Sequence, residues 1–391
     1  MNKLSFLIDD LEAALESGPA EQRRRVLSRI TDLFVAGSSR YSEEQVSLFD
    51  DLLLRLAVEI ESKARTKLAH RLARIPNAPR KVIRSLAFDD AIAVAGPVLN
   101  HSPRLDDDDL VRNASTKSQD HLHAIAQRQS LSEAVTDVLV ERGDQRVVHS
   151  VAQNGGARFS ERGFGKLVSR AEGDETLAQY VGMRPDIPRH HFLKLLGTAT
   201  ATVRAKLEAA NPRAAAAIRE TVAEAASDIS REVREACPQH ARAKAAAKRR
   251  FATSQLTESE VHARAHSQDF ERTVVALSLL GRFPIELVER ALLDDDPEPV
   301  LILARAAGCS RTTAKAILLM QAADRGLSAP EVDEVLAIFD RLSVRSARRV
   351  VKYYNDRSKA RGRRPRQVAA QPAEQDAARS PARAPALTAT A

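Results

Sequence analysis

Apolar positions recur at helical spacing along the chain. Leu4, Phe6, Leu7, Leu11 and Leu15 open the series, and Val26, Leu27, Ile30 and Leu33 continue it towards Gly37. A period near 3.6 places such residues on one face of a helix. The strongest instance is Val46, Leu48, Phe49, Leu52, Leu53, Leu56 and Ile60. It follows Ser42 and Gln45, the spacing of a capping box, in which the two side chains satisfy each other's free amides. Shorter helices are predicted over 65–74, 79–86, 91–99, from Asp106, 119–128, behind a second box at Ser130 and Glu133, and over 145–153, 160–170, 175–182 and 188–196. Glycine or proline stops most of them. Aspartate recurs before apolar helices at Asp89/Asp90, Asp144 and Asp174, at spacings of 54 and 30 residues. That irregular recurrence suits degenerate helix pairs stacked on one another.

Residues 197–250 differ. They are rich in alanine with interleaved charges, a composition of long exposed helices, which Pro238 should interrupt. Apolar periodicity resumes at Thr257, where Glu260 completes a third box, and a fourth stands at Ser328 and Glu331. The expected fold class is all-α: irregular HEAT-like stacked helical repeats forming an alpha-alpha superhelix. The expected organisation is an N-terminal helical segment (1–64), a HEAT-like domain (65–200), an alanine-rich helical connector (201–256), a second repeat block (257–355) and a disordered Arg/Pro/Ala-rich tail (356–391).

Composition narrows the function classes. Aromatics are 4% of the 391 residues and tryptophan is absent, which disfavours a large sheet core. Two cysteines, Cys237 and Cys309, make no disulfide framework and fit a reducing compartment. No apolar run nears the roughly 20 residues of a membrane span. Asp9, Asp10 and Glu12 interrupt any signal-like core. A cytoplasmic protein is expected.

Lys and Arg total 60 against 52 Asp and Glu. The excess of +8 is concentrated at one end, because Arg345–Arg366 carries ten basic residues and one acidic residue, Asp356. Arg345, Arg348, Arg349 and Lys352 share a helical face, and Arg357, Lys359, Arg361, Arg363, Arg364 and Arg366 follow. These ten are the candidate contacts for phosphates or other anions, with Tyr353 and Tyr354 available to stack on bases. A solubilising tail, an anionic lipid surface and an acidic protein partner explain the same charge.

The stretches LAHRLARIPNAPRKVIRSLAFDDAIAVAGPVLNHSPRLDDDDLV and HLHAIAQRQSLSEAVTDVLVERGDQRVVHSVAQNGGARFSERGFGKLV resemble an uncharacterised bacterial domain family, mainly alphaproteobacterial, of unknown function. Pro79, Asp90, Pro97, Asn154, Ser160 and Leu167 are among the residues that carry the likeness, which is specific over 65–200 and looser over 257–355. The resemblance implies an all-helical, HEAT-like protein and brings no cofactor or catalytic residue with it.

Other candidate chemistry reads as structure. His121 and His123 point about 200° apart on a helix, and His190 and His191 about 100° apart, so no metal site is expected. Asp106–Asp109 and Asp294–Asp296 read as helix-start charge and turns. Asn154-Gly155-Gly156 reads as a helix end in a left-handed conformation and a close packing point. ARAAGCSRTTAKAILLM has the outline of a helix-turn-helix, with Ser310, Arg311 and Thr312 at the start of the second helix, an outline that repeat packing also produces. With no catalytic set and no cofactor motif, the expectation is a non-enzymatic scaffold or adaptor with a protein partner. Nucleic-acid binding through the basic C-terminal end is the alternative.

Overall fold

The computed structural model describes residues 20–58, 60–253, 255–322 and 328–362. Among them are 21 α-helices. From α1 (Ala20–Gly37) and α2 (Glu43–Val58) the chain runs through α3 (Ser62–Leu72), α4 (Arg80–Ala87), α5 (Ile92–His101), α6 (Asp107–Thr116), α7 (Gln119–Ala126), α8 (Glu133–Arg142), α9 (Gln145–Gln153), α10 (Glu161–Arg170) and α11 (Glu175–Gly182). The odd helices α3, α5, α7, α9 and α11 pack side by side in sequence. In a second row α2 packs on α4, and α6, α8 and α10 pack in succession. The fold is therefore all-α and repeat-like, in two layers around one apolar core. That core runs without a break across residue 64, from Val26 through Leu53, Leu86, Leu122 and Leu139 to Leu195.

Polar side chains tie each repeat to the one before. The last carbonyls of a helix have no partner within it. Arg128, Arg142, Arg170 and Arg184 each donate to such carbonyls, on Leu99, Ala114, Val140 and Ala152, 28 to 32 residues earlier. Asn154 Nδ2 donates to the carbonyls of Ala126 (3.0 Å) and Arg128 (2.7 Å). The recurring aspartates start helices of one row. Asp144 and Asp174 accept from the amides of Val147 and Leu177 at the heads of α9 and α11, and Asp89 accepts from Ala91 just before α5. The gap of 54 skips α7, where Ser118 stands in that place.

The capping boxes divide. At Ser42 and Gln45 both bonds form, at 3.0 and 3.3 Å, and the box at Ser328 and Glu331 is present too. At Ser130 the expectation fails. Leu131 pairs with Ala157 in an isolated bridge, bonded to Gly156 and Arg158, which moves the N-cap to Ser132. Thr257 makes no side-chain cap, because Arg250 and Arg264 hold the Glu260 carboxylate. Asn154 is extended (φ −73°) rather than left-handed. Gly156 is a close packing point: a Cβ there would lie 1.9 Å from the Gln129 carbonyl oxygen.

α12 (Arg189–Ala210) and α13 (Ala215–Ala236) form an antiparallel pair, and α14 (Pro238–Ala252) begins on Pro238. At 22 residues each, the paired helices are about 33 Å long. Their distal halves are exposed, and the buried residue of α13 is a charge, Arg234.

The second core is organised differently. It comprises α15 (Glu258–His266), α16 (Phe270–Gly281), α17 (Ile285–Leu293), α18 (Glu298–Ala307), α19 (Arg311–Gln321), α20 (Ala329–Arg341) and α21 (Val344–Gly362). α18 packs against α16, α17, α19, α20 and α21, burying Val300, Leu301, Leu303, Ala304 and Ala306. α21 continues to Gly362, past the expected start of a disordered tail at 356. Arg, Lys and Ala propagate a helix once it is nucleated, so apolar periodicity is not needed to extend it. No described helix is long and apolar enough to cross a membrane.

Candidate functional site

The odd row of helices carries two open clefts, and a larger one of about 930 Å³ lies at the junction with the second core, lined by Arg189, Val233, Cys237 and Glu271. One cleft of about 550 Å³ spans α3 to α9, and an adjoining one of about 630 Å³ spans α7 to α11. They share His123, Gln127 and Arg146. Successive helices each bring a histidine: His70 from α3, His101 from α5, His123 from α7 and His149 from α9. Amides lie between them, with Asn100 donating to Gln127 at 3.2 Å. Arg74 donates to His101 Nε2 (3.0 Å), and Gln127 donates to His123 Nε2 (3.0 Å). Burial lowers the pKa of both rings, and the positive charges of Arg74 and Arg128 near His101 and of Arg146 near His123 lower it further. At the far end His149 Nε2 meets Asp174 (2.6 Å), with Tyr180 edge-on to the ring. Burial pushes the Asp174 carboxyl up, but the Leu177 amide, His149 and Gln145 outweigh it and hold it at about 2. Arg146 pairs with Asp120 on the same face (2.6 Å). The sequence reading missed this row. Its signal was one histidine per odd helix, at 70, 101, 123 and 149.

His121 belongs to the frame of that row. It is buried, accepts from Ser118 Oγ at Nδ1 (2.8 Å) and donates from Nε2 to the Asp89 carbonyl (2.9 Å). Asp106 caps α6 by accepting from the Asp109 amide (2.9 Å), and Asp109 is buried against Arg84. Burial pushes the Cys309 thiol up to about 12, helped by the nearby Glu258 charge, so it is no nucleophile at neutral pH. Cys237 donates to Gln239 Oε1 at 3.4 Å.

His190 and His191 do converge, despite diverging along their helix. Their ring centroids are 4.1 Å apart, and the Nε2 atoms of both face one oxygen of Glu161. Among the described residues these three form a group whose possible ligand atoms lie within 4.8 Å of one another. Burial raises the Glu161 carboxyl, but the two imidazoles that face it more than compensate, and it lies well below the usual carboxylate range. The sequence clue was a glutamate 29 residues before His190, one repeat back.

The helix-turn-helix outline forms, with Gly308 left-handed (φ 86°) between α18 and α19, but acidic side chains engage its exposed reading end. Glu258 Oε1 accepts from the Ser310 amide (2.7 Å) and hydroxyl (2.5 Å) and from Thr313 (2.6 Å). Arg311 is paired with Asp340 and Asp333. α19 is packed along α15 rather than free to enter a groove.

Of the ten basic candidates, Arg345, Arg348, Arg349 and Lys352 are exposed on α21, which is anchored by buried Ala347 and Val351. Arg348 is committed within the fold, donating to the Ala306 carbonyl at the end of α18 (3.1 Å). Tyr353 and Tyr354 are exposed beside Lys352. Arg357, Lys359 and Arg361 fall on the same helical backbone, and Arg363, Arg364 and Arg366 lie outside the described residues.

No curated protein and no solved structure matches the chain. A family model matches residues 94–352, more than half of the chain, from within α5 to within α21. The match takes in most of both cores and the helices between them, and the chain belongs to that family of uncharacterised proteins conserved in bacteria (DUF2336).

Proposed function

We propose that the chain is a non-enzymatic protein-binding scaffold, a HEAT-like array whose odd row of helices holds a segment of another protein. The observation that supports this reading is the pair of adjoining open clefts along α3–α11, which share residues and form one long groove. Its lining of asparagine, glutamine and histidine side chains carries both donors and acceptors of hydrogen bonds, as a peptide main chain does. Long grooves on stacked helices suit extended ligands. Glu141 and Leu48, exposed on the even row, provide the control surface. The test places a photo-crosslinking amino acid at Asn100, Gln127 or Ser150, and separately at Leu48 or Glu141, in the producing bacterium. The groove positions should yield one discrete adduct. Equal adducts from Leu48 and Glu141, or none from the groove, overturn the proposal.

A second reading is nucleic-acid binding through α21. Exposed Arg345, Arg349 and Lys352 beside Tyr353 and Tyr354 favour it. Changing the three cations to Ala should then weaken duplex DNA binding in fluorescence anisotropy and flatten its decline between about 50 and 200 mM salt. Unchanged affinity and slope reject it.

A further inference from the structure

We infer that Glu161, His190 and His191 form a binding site for a divalent transition-metal ion of the zinc class, placed where the first core meets the second. Three observations carry this. The first is convergence. Glu161 stands at the head of α10 and the two histidines in the first turn of α12, and all three ligand atoms lie within 4.8 Å of one another. Two imidazoles and one carboxylate are a ligand set that zinc and its neighbours accept, with further positions left for water or another oxygen.

The second is an unmet need. His191 is 1% exposed, yet neither of its ring nitrogens makes a hydrogen bond. Its Nε2 is 3.0 Å from Glu161 Oε1 but is not aligned as a donor to it. A buried polar nitrogen without a partner is costly, and ligation by a metal removes that cost. The third is orientation. Phe164 stacks on the His191 ring and Phe270 on the His190 ring, at 6.0 and 5.1 Å. Packing of this kind holds ligand rings in place, as surrounding shells do at metal sites. Asp294 and Asp295, at the turn that follows α17, line the same small cavity of about 60 Å³ together with Lys194, and the two carboxylates outweigh that one cation. An ion here would bridge α10 and α12 next to that turn.

His262 and His266, one turn apart on α15 with parallel rings 6.2 Å apart, are the competing place for zinc. The full chain is titrated with zinc against a chromophoric chelator, alongside Glu161→Gln, His190→Ala and the double variant His262→Ala/His266→Ala. Circular dichroism checks that each is folded. The wild type should bind one zinc ion with a dissociation constant in the micromolar range or tighter. Glu161→Gln and His190→Ala should each weaken binding at least about tenfold, while the α15 variant retains it. Cobalt in place of zinc should give visible bands that both cluster variants lose. No binding by the wild type, undiminished binding in both cluster variants, or loss of binding in the α15 variant each overturns the inference.

Discussion

Two arginines five residues apart serve two differently built regions. Arg184 completes the repeated block: it donates to the carbonyls of Ala152, Asn154 and Ala157 at 2.8 to 3.0 Å, all 27 to 32 residues earlier. Arg189 begins the junction with the second core. It is paired with Glu271 (2.6 Å) and Glu289 (2.7 Å), 82 and 100 residues later. Arg234 and His240 join the same buried carboxylates at 3.0 and 2.8 Å. Burial would raise Glu271, but His240 and Arg189 overcome it and keep its pKa below the ordinary carboxylate value. The block is thus closed by a repeating neighbour rule, and the junction by a charge network assembled from five helices. In the block, each side chain finishes the helix end one repeat back. In the junction, removal of one charge strands others that are buried.

The largest expected effect is therefore at the junction. Arg189→Ala should cost about 4 kcal/mol, the scale for breaking a buried ion pair from one side. In urea denaturation it should also split the transition, with the second core unfolding separately from the first. A single transition with a loss under about 1 kcal/mol would show that the apolar contacts alone join the cores. Arg184→Ala should cost about 3 kcal/mol, since it leaves buried carbonyls unsatisfied, and the unfolding curve should keep its shape.

Gly156→Ala comes next. The added methyl meets the Gln129 carbonyl, and the strain should cost about 2 kcal/mol in the same assay. A neutral outcome would mean that the bridge between Leu131 and Ala157 yields freely.

The smallest effect is at a cap. Asp174→Ala should cost about 1 kcal/mol at neutral pH through loss of the α11 cap. Because the folded pKa of Asp174, about 2, lies below the ordinary aspartate value of 3.8, its contribution is complete above 3.8. It is lost as pH falls through about 2. The difference between wild type and variant should shrink as pH falls below about 4. A difference that grows as pH falls below about 4 contradicts the assignment.

Much of the first block was legible in the chain. Leu53, Leu56, Val82, Ile83 and Leu86 fall on buried faces as their spacing requires, and Ser42, Asp106 and Ser328 cap where they stand. The recurring aspartates mark one row of helices. Ser130 and Thr257 misled because their local pattern was right and distant groups competed for it. At Leu131 the competitor was a passing backbone, and at Glu260 it was a pair of arginines. The histidine groove was present as a faint recurrence, since each repeat contributes a single residue to it.

The junction, the engaged end of α19 and the cluster of Glu161 with two histidines were not legible in the same way. Helical faces and caps are set by groups within a turn of one another, so residue order dictates them. Whether Glu258 meets Ser310, or Glu289 meets Arg189 and Arg234, depends on how whole helices pack. Packing is chosen by the shapes of two apolar cores together, and the polar groups that meet across 50 to 100 residues are a consequence of that choice.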